Sequence, residues 1–223
     1  MLYDETAVRA NIRNRDGKRV FYLRSGDTLT PLARDFLRQE HIEVLPAQEA
    51  KPKGYRLLSG GYTEEKPEHM THLNGDVLVP KTHPRIRFRG MIDSLEAELL
   101  LCGPETGEIL SLARRLIRCD VLDEPVGEFT LYGLTAQQQR QHSHFPQDYY
   151  GIPHFMPDYA DGEQVLRLNR CRSVCRQAEL SAVEAFSDKD GNLIRGDIVQ
   201  ALNRMSSMLY ILMIRRKRTD GKH

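Results

Sequence analysis

Between Val165 and Phe186 the chain reads VLRLNRCRSVCRQAELSAVEAF. At about 100° per residue, Val165, Leu168, Cys175, Val183 and Phe186 fall on one helical stripe, the stripe that packing normally covers. Arg172, Arg176 and Glu179 sit within that stripe at spacings of four and three. Burying charge costs on the order of several kcal/mol unless the charge is paired or meets a charged ligand. The pattern therefore predicts either a closed ion network or the lining of an anionic ligand site.

The same reading divides the rest of the chain. Residues 1–50 form a small mixed unit: a strand over Val20–Leu23, a turn at Ser25–Asp27, a helix over Pro31–Gln39 with Thr30 as N-cap, and a strand over Ile42–Leu45. Residues 46–69 are rich in Pro, Gly and charge and lack period, so 51–70 reads as a linker or mobile loop. Residues 71–223 then form a helical domain. Its first helix spans Arg85–Leu101 and stops at Gly103-Pro104. Phe88, Met91, Leu95 and Leu99 make one apolar face of it. Ile86, Ala97 and Leu100 make the opposite one with Asp93 at its centre, which predicts an interior helix and a second buried charge. Gly107–Cys119 continues as a helix that 120–125 closes, and Thr135–His142 is a short one. Leu193–Arg216 is a long helix apolar nearly all round, with Asn203, Ser206 and Ser207 among its apolar residues. Its basic end, Arg215–Arg218, complements the helix dipole. The sum is a mainly-α protein, a four- or five-helix bundle with a small mixed α/β N-terminal unit.

Composition narrows the function. Lys+Arg 32 against Asp+Glu 31 gives a net charge of +1, too little for a general nucleic-acid binder. No run of eighteen apolar residues predicts a membrane span, and MLYDETAVRA has no signal-peptide core, so the expectation is a soluble, cytoplasmic protein. Cys102, Cys119, Cys171 and Cys175 include no CxxC and read as reduced packing residues. His142, His144 and His154 lie in the aromatic loop HSHFPQDYYGIPHFMPDY without an acid at fixed spacing, a weak metal pattern. A loop this long and aromatic in a helical protein predicts a pocket wall.

Two arginines, two acids and an amide at interior positions supply more donors than a closed network needs, since each guanidinium carries five. The surplus suits a polyanion such as a triphosphate. No GxxxxGK[ST] or GxGxxG is present, so a nucleotide site here has to be built from helix side chains.

CRSVCRQAEL (171–180) followed by ALNRMSSMLYILMIR (201–215) resembles the paired motifs xRxVCRRAER and LNRLSDxLF of the ATP:corrinoid adenosyltransferases of the propanediol-utilisation type. VPKTHPRIRFRGMIDSLEA (79–97) is similar to that family's K-x-x-P-R-I … G-x-x-D-E-L-N-A helix. THLNGDVLVPKTHPRI, RCDVLDEPV, HSHFPQDYYGIPHFMP and LNRMSS, together with the early SGDTLTPLARDFLRQEHIEV, resemble the ethanolamine-utilisation branch more closely, over most of the chain. The resemblance implies a homotrimer with sites between subunits. It implies binding of MgATP and cobalamin, attack of Co(I) on C5′ of ATP, and release of triphosphate and adenosylcobalamin, with a corrinoid reductase and ethanolamine ammonia-lyase as possible partners. It also implies that Lys81 and Arg176 hold the triphosphate, that Glu179 and Asn203 position the nucleotide, and that Asp93 pairs with Arg172 beside the corrin. His154 and Phe155 would meet the cobalamin, Phe155 displacing the lower axial ligand so that Co(II) becomes easier to reduce.

Two departures accompany the resemblance. The glycine-rich phosphate loop T-K-x-G-D-x-G-x-T is absent, with only Asn74-Gly75-Asp76 near its place. Some members of the ethanolamine branch carry a His followed by CC-x-x-C. Here 54–72 has His69 and His72 but no cysteine, so no structural Fe or Zn site is expected. Ser207 stands where the propanediol branch has Asp. The competing expectation is a non-catalytic corrinoid-binding or delivery protein, or a module associated with a bacterial microcompartment.

Overall fold

A computed structural model of the chain describes residues 1–15, 18–47 and 54–220. The chain divides into two compact units, 1–54 and 55–223.

In the first unit, β1 (Leu2–Tyr3), α1 (Glu5–Ala10), β2 (Arg13–Arg15), β3 (Lys18–Leu23), β4 (Thr28–Leu29), α2 (Pro31–Gln39) and β5 (Glu43–Pro46) follow in order. Strands β3 and β5 run parallel, from Val20 opposite Glu43 to Leu23 opposite Pro46, with α2 as the crossover. Thr30 caps α2 as its sequence predicts, accepting the Ala33 N–H at 3.3 Å ahead of Pro31. Val8, Phe21, Leu29, Ala33, Phe36, Leu37 and Ile42 give this unit a small core of its own.

The second unit opens with β6 (Tyr55–Leu57), β7 (Tyr62–Thr63), β8 (Met70–Asn74) and β9 (Val77–Pro80), a sheet in the order β7-β6-β9-β8. Residues 55–57 and 62–63 fall in the stretch read as linker or mobile loop. Strands of two or three residues are too short to display a period of two, so the sequence pattern did not reveal them. Residues 48–53 of that region lie outside the described residues. Asn74-Gly75-Asp76 is the turn joining β8 to β9, where Gly75 takes φ +51° and Asp76 meets Arg56 at 3.0 Å.

The helices are α3 (Pro84–Cys102), α4 (Gly107–Leu122), α5 (Ala136–His144), α6 (Pro146–Tyr150), α7 (Glu163–Phe186) and α8 (Gly196–Asp220), with a hairpin of β10 (Thr130–Leu131) and β11 (Leu134–Thr135) before α5. Helix α3 packs along α7, α7 along α8, α4 on α3 and α5 on α8, which is the expected mainly-α bundle. Local chemistry sets the ends. Pro84 occupies the first turn of α3 and Gly103, at φ +109°, stops it. Asp123 closes α4 in the left-handed region, and Thr135 and Gln138 cap α5 reciprocally. Helix α8 begins three residues later than predicted, because Leu193 pairs back to Ser187 across the Asp188–Asn192 turn. As expected it is buried nearly all round, with Ile198, Ala201, Leu202, Met205, Leu209, Ile211, Met213 and Ile214 fully covered.

Two expectations about buried charge are corrected. Asp93 is exposed, as are Ala97 and Leu100, so α3 is covered on one face only. Its neighbours take Phe88, Ile92, Leu95 and Leu99 and leave the second apolar face open within the chain. On α7 the covered face is centred on Leu168, Cys171, Cys175, Ala178 and Ala182, roughly 100° round the helix from the three charges. Arg176 and Val183 are therefore exposed, and Arg172 and Glu179 half-buried at the margin.

The buried carboxylate is Asp120, which is fully covered. It accepts from Arg85 Nε at 2.8 Å and Arg89 Nε at 2.6 Å, and Arg89 also donates to the Leu73 carbonyl at 2.8 Å, tying β8 to α3. The four cysteines are buried and unpaired, between 0 and 6 % exposed. No helix among the described residues is long and apolar enough to cross a membrane.

Candidate active site

Where α7 and α8 run side by side, each presents polar residues at the shared margin: Arg172, Arg176 and Glu179 from one, Asn203, Ser206, Ser207 and Tyr210 from the other. Helix α5 adds Ser143 and His144, and the segment after α6 folds back with His154, Phe155 and Met156. All of these but Glu179, which is held by Asn203, line a cleft of about 580 Å³, within the range of small-molecule sites.

Inside the cleft Asn203 Nδ2 donates to Glu179 Oε1 at 2.8 Å, and Ser206 Oγ donates to the Asn203 carbonyl at 3.0 Å. The arginines lack such partners. Arg172 Nε is buried without a hydrogen-bond acceptor, and its guanidinium lies 5.4 Å from the Tyr210 ring centroid. Burial, and then the neighbouring Arg176, push the Arg172 pKa below the ordinary guanidinium value. Arg176 makes no ion pair or hydrogen bond with another described side chain. Two guanidiniums facing one cleft, with a single nearby carboxylate already engaged by an amide, form a site suited to an anion.

The opposite wall is aromatic. Phe155 and His154 stack on Tyr210, with centroids 5.8 and 5.7 Å away and ring planes within 29° and 15°. Lys217 Nζ lies 4.4 Å from the Phe155 centroid and pairs with Asp161, whose carboxyl this contact holds below its usual range. The three histidines serve separate contacts. His142 stacks on Tyr149 at 3.8 Å with Nδ1 2.9 Å from the Tyr150 hydroxyl, while His144 Nδ1 faces the Arg140 carbonyl at 2.9 Å. Burial, reinforced by Arg215, pushes the His142 pKa down.

The structure thus gathers Arg172, Arg176, Glu179, Asn203, His154 and Phe155 in one place. Lys81 and Asp93 lie elsewhere. Lys81 follows β9, 54 % exposed and 3.6 Å from Glu68, and Asp93 sits on the open face of α3, so the expected Asp93–Arg172 pair does not form within the chain. Sequence reasoning missed Tyr210 as a site residue, although a lone phenol among the aliphatic residues of a buried helix was a readable signal.

Comparison with known proteins supplies the rest. A model of the family described as cobalamin adenosyltransferase matches residues 61–216. The corrinoid adenosyltransferase EutT of Escherichia coli (strain K12) is 29 % identical over 241 residues, covering 94 % of this chain and 90 % of that protein. The protein of the same name from Salmonella typhimurium (strain LT2) is 31 % identical over the same shares.

Proposed function

The chain belongs to the cobalamin adenosyltransferase family, and from that premise we propose that the α7–α8 cleft transfers the 5′-deoxyadenosyl group of ATP to reduced cobalamin in ethanolamine utilisation. The observation that carries this reading is the pair of guanidiniums, Arg172 and Arg176, that face the cleft without an acid to neutralise them. ATP, taken as its Mg2+ complex, would place its triphosphate on them, with the Glu179–Asn203 pair beside the nucleoside. The lone pair of Co(I) attacks C5′, the C5′–O bond breaks, and the electron pair leaves on triphosphate. Charge accumulates on the leaving oxygens, where a planar fork of donors gains most in the transition state. Phe155 and His154 offer the aromatic surface against which a corrin ring packs and from which water and the lower ligand are excluded.

Lys81 and Asp93 lie outside this cleft and are exposed, which supports a homotrimer in which one copy's Asp93 meets another's Arg172 and Lys81 reaches a neighbour's triphosphate. A corrinoid reductase would supply the reduced substrate, and ethanolamine ammonia-lyase would consume the product.

The test is anaerobic mixing of the protein, MgATP and chemically reduced cobalamin, following corrinoid absorbance. Adenosylcobalamin and one equivalent of triphosphate are expected. Corrinoid binding without nucleotide binding in calorimetry would instead indicate a delivery protein.

A further inference from the structure

Helix α8 grips the aromatic segment at two heights. Tyr210 and Lys217 are seven residues apart, two helical turns, so they project from the same side of α8. Tyr210 is 8 % exposed, and its neighbours Leu209, Ile211, Leu212, Met213 and Ile214 are apolar. Its hydroxyl bonds the loop: it accepts the Phe155 N–H at 3.1 Å, lies 3.2 Å from His154 Nδ1, and is 3.4 Å from the Phe155 carbonyl.

Hydrogen-bond accounting fixes the direction of these bonds. His154 Nε2 is 2.9 Å from the His144 carbonyl oxygen, which can only accept. Nε2 therefore carries a hydrogen, which leaves Nδ1 to face the Tyr210 hydroxyl. The phenol thus directs its one hydrogen at the segment, toward His154 Nδ1 or the Phe155 carbonyl oxygen, and accepts one from the Phe155 backbone. Both partners belong to the segment that faces the cleft. The same ring also lies under the Arg172 guanidinium at 5.4 Å, within cation–π range. Two turns on, Lys217 covers the Phe155 ring and ties Asp161, which is itself nearly buried.

We infer that Tyr210 is a positioning residue for adenosyl transfer. Its hydroxyl fixes the backbone of residues 154–155, and hence the height at which the Phe155 ring meets the corrinoid, while its ring supports Arg172 on the nucleotide side. Lys217 holds the outer end of the same segment. The assignment rests on the reading of Phe155 given above.

Tyr210→Phe keeps the ring and its packing and removes only the oxygen. In the full-length, ligand-free protein, hydrogen–deuterium exchange over residues 152–157 is expected to speed up by about fivefold or more, with the bundle helices unchanged and circular dichroism superimposable. With MgATP, the variant is expected to show roughly tenfold lower kcat at an unaltered KM for ATP, the pattern of an interaction that matters to the chemical step. It should also show a smaller fraction of four-coordinate Co(II) in the electron paramagnetic resonance spectrum of bound cobalamin. Unchanged exchange overturns the tether itself, whatever the enzyme's activity. Faster exchange with wild-type kcat and spectrum overturns the positioning role. If the wild-type protein makes no adenosylcobalamin, the proposed function falls and the positioning role with it, while the exchange result still reports on the tether.

Discussion

At the scale of the residue, Arg172 is the clearest departure from what stability alone would select. A half-buried guanidinium with an unpartnered Nε beside a second arginine costs the ligand-free protein free energy. Arg172→Met is accordingly expected to raise unfolding stability in urea by about 1 kcal/mol, while lowering the adenosylation rate on the order of a hundredfold. Inorganic triphosphate should raise the melting temperature of the wild type and not of the variant. His142 gives a pH signature. Its folded pKa lies below its ordinary 6.5 because of burial and Arg215. As pH falls below 6.5 the unfolded chain takes the proton first, so this contribution to stability is complete above 6.5 and is lost as pH drops through the lower folded value. His142→Gln should flatten that acid-side decline in urea titrations at successive pH values, with His83, which is shifted the same way, and, at lower pH, the down-shifted Asp161, Asp188 and Asp197 contributing to what remains. The charges at 172, 176 and 179 were readable as an anomaly from spacing alone. Which acid is buried was not, because periodicity says which residues share a face and nothing about whether another helix covers it. Asp93 sits at the centre of an apolar face that stays open within the chain, whereas Asp120, at what reads as a helix end, is fully covered.

At the scale of the element, the Asp120 cluster joins three pieces of chain that lie apart in sequence: the last turn of α4, the first turns of α3, and β8. Asp120→Asn leaves Arg85 and Arg89, 22 % and 17 % exposed, without their carboxylate. A loss of about 2–3 kcal/mol is expected, somewhat below the cost for fully buried pairs because the arginines retain some water. Chemical denaturation measures it, and a change under 0.5 kcal/mol, roughly the scatter of a surface substitution, would sink the account. Helix boundaries were legible because Pro, Gly, Thr and Asp punctuate them with definite chemistry. Strands β6 and β7 and the short helix α6 were not, since two to five residues hold too little pattern to rise above their surroundings.

At the scale of the whole molecule, the open face of α3 matters most. Leu100 and Leu101 are 59 % and 68 % exposed beside Asp93 and Ala97, a surface that suits burial against another copy of the chain. Leu100→Glu is expected to shift the species seen by light scattering from trimer toward monomer and to abolish adenosylation, with helical content retained. A fully active wild-type monomer would overturn the trimeric reading. The bundle was legible in the sequence through its long amphipathic runs. What covers the open face of α3 was not, because one chain's periodicity records that a face is apolar without recording whose surface meets it. One consequence remains, and it concerns the four thiols. They are spread over α3, α4 and α7 and none is more than 6 % exposed, so an alkylating reagent finds no target on the folded chain. Each opening that exposes them should do so together, and intact mass spectrometry after a timed pulse should show two populations, unmodified and fourfold labelled. The cysteines thus serve as an internal clock for unfolding of the helical unit that needs neither a dye nor a mutation.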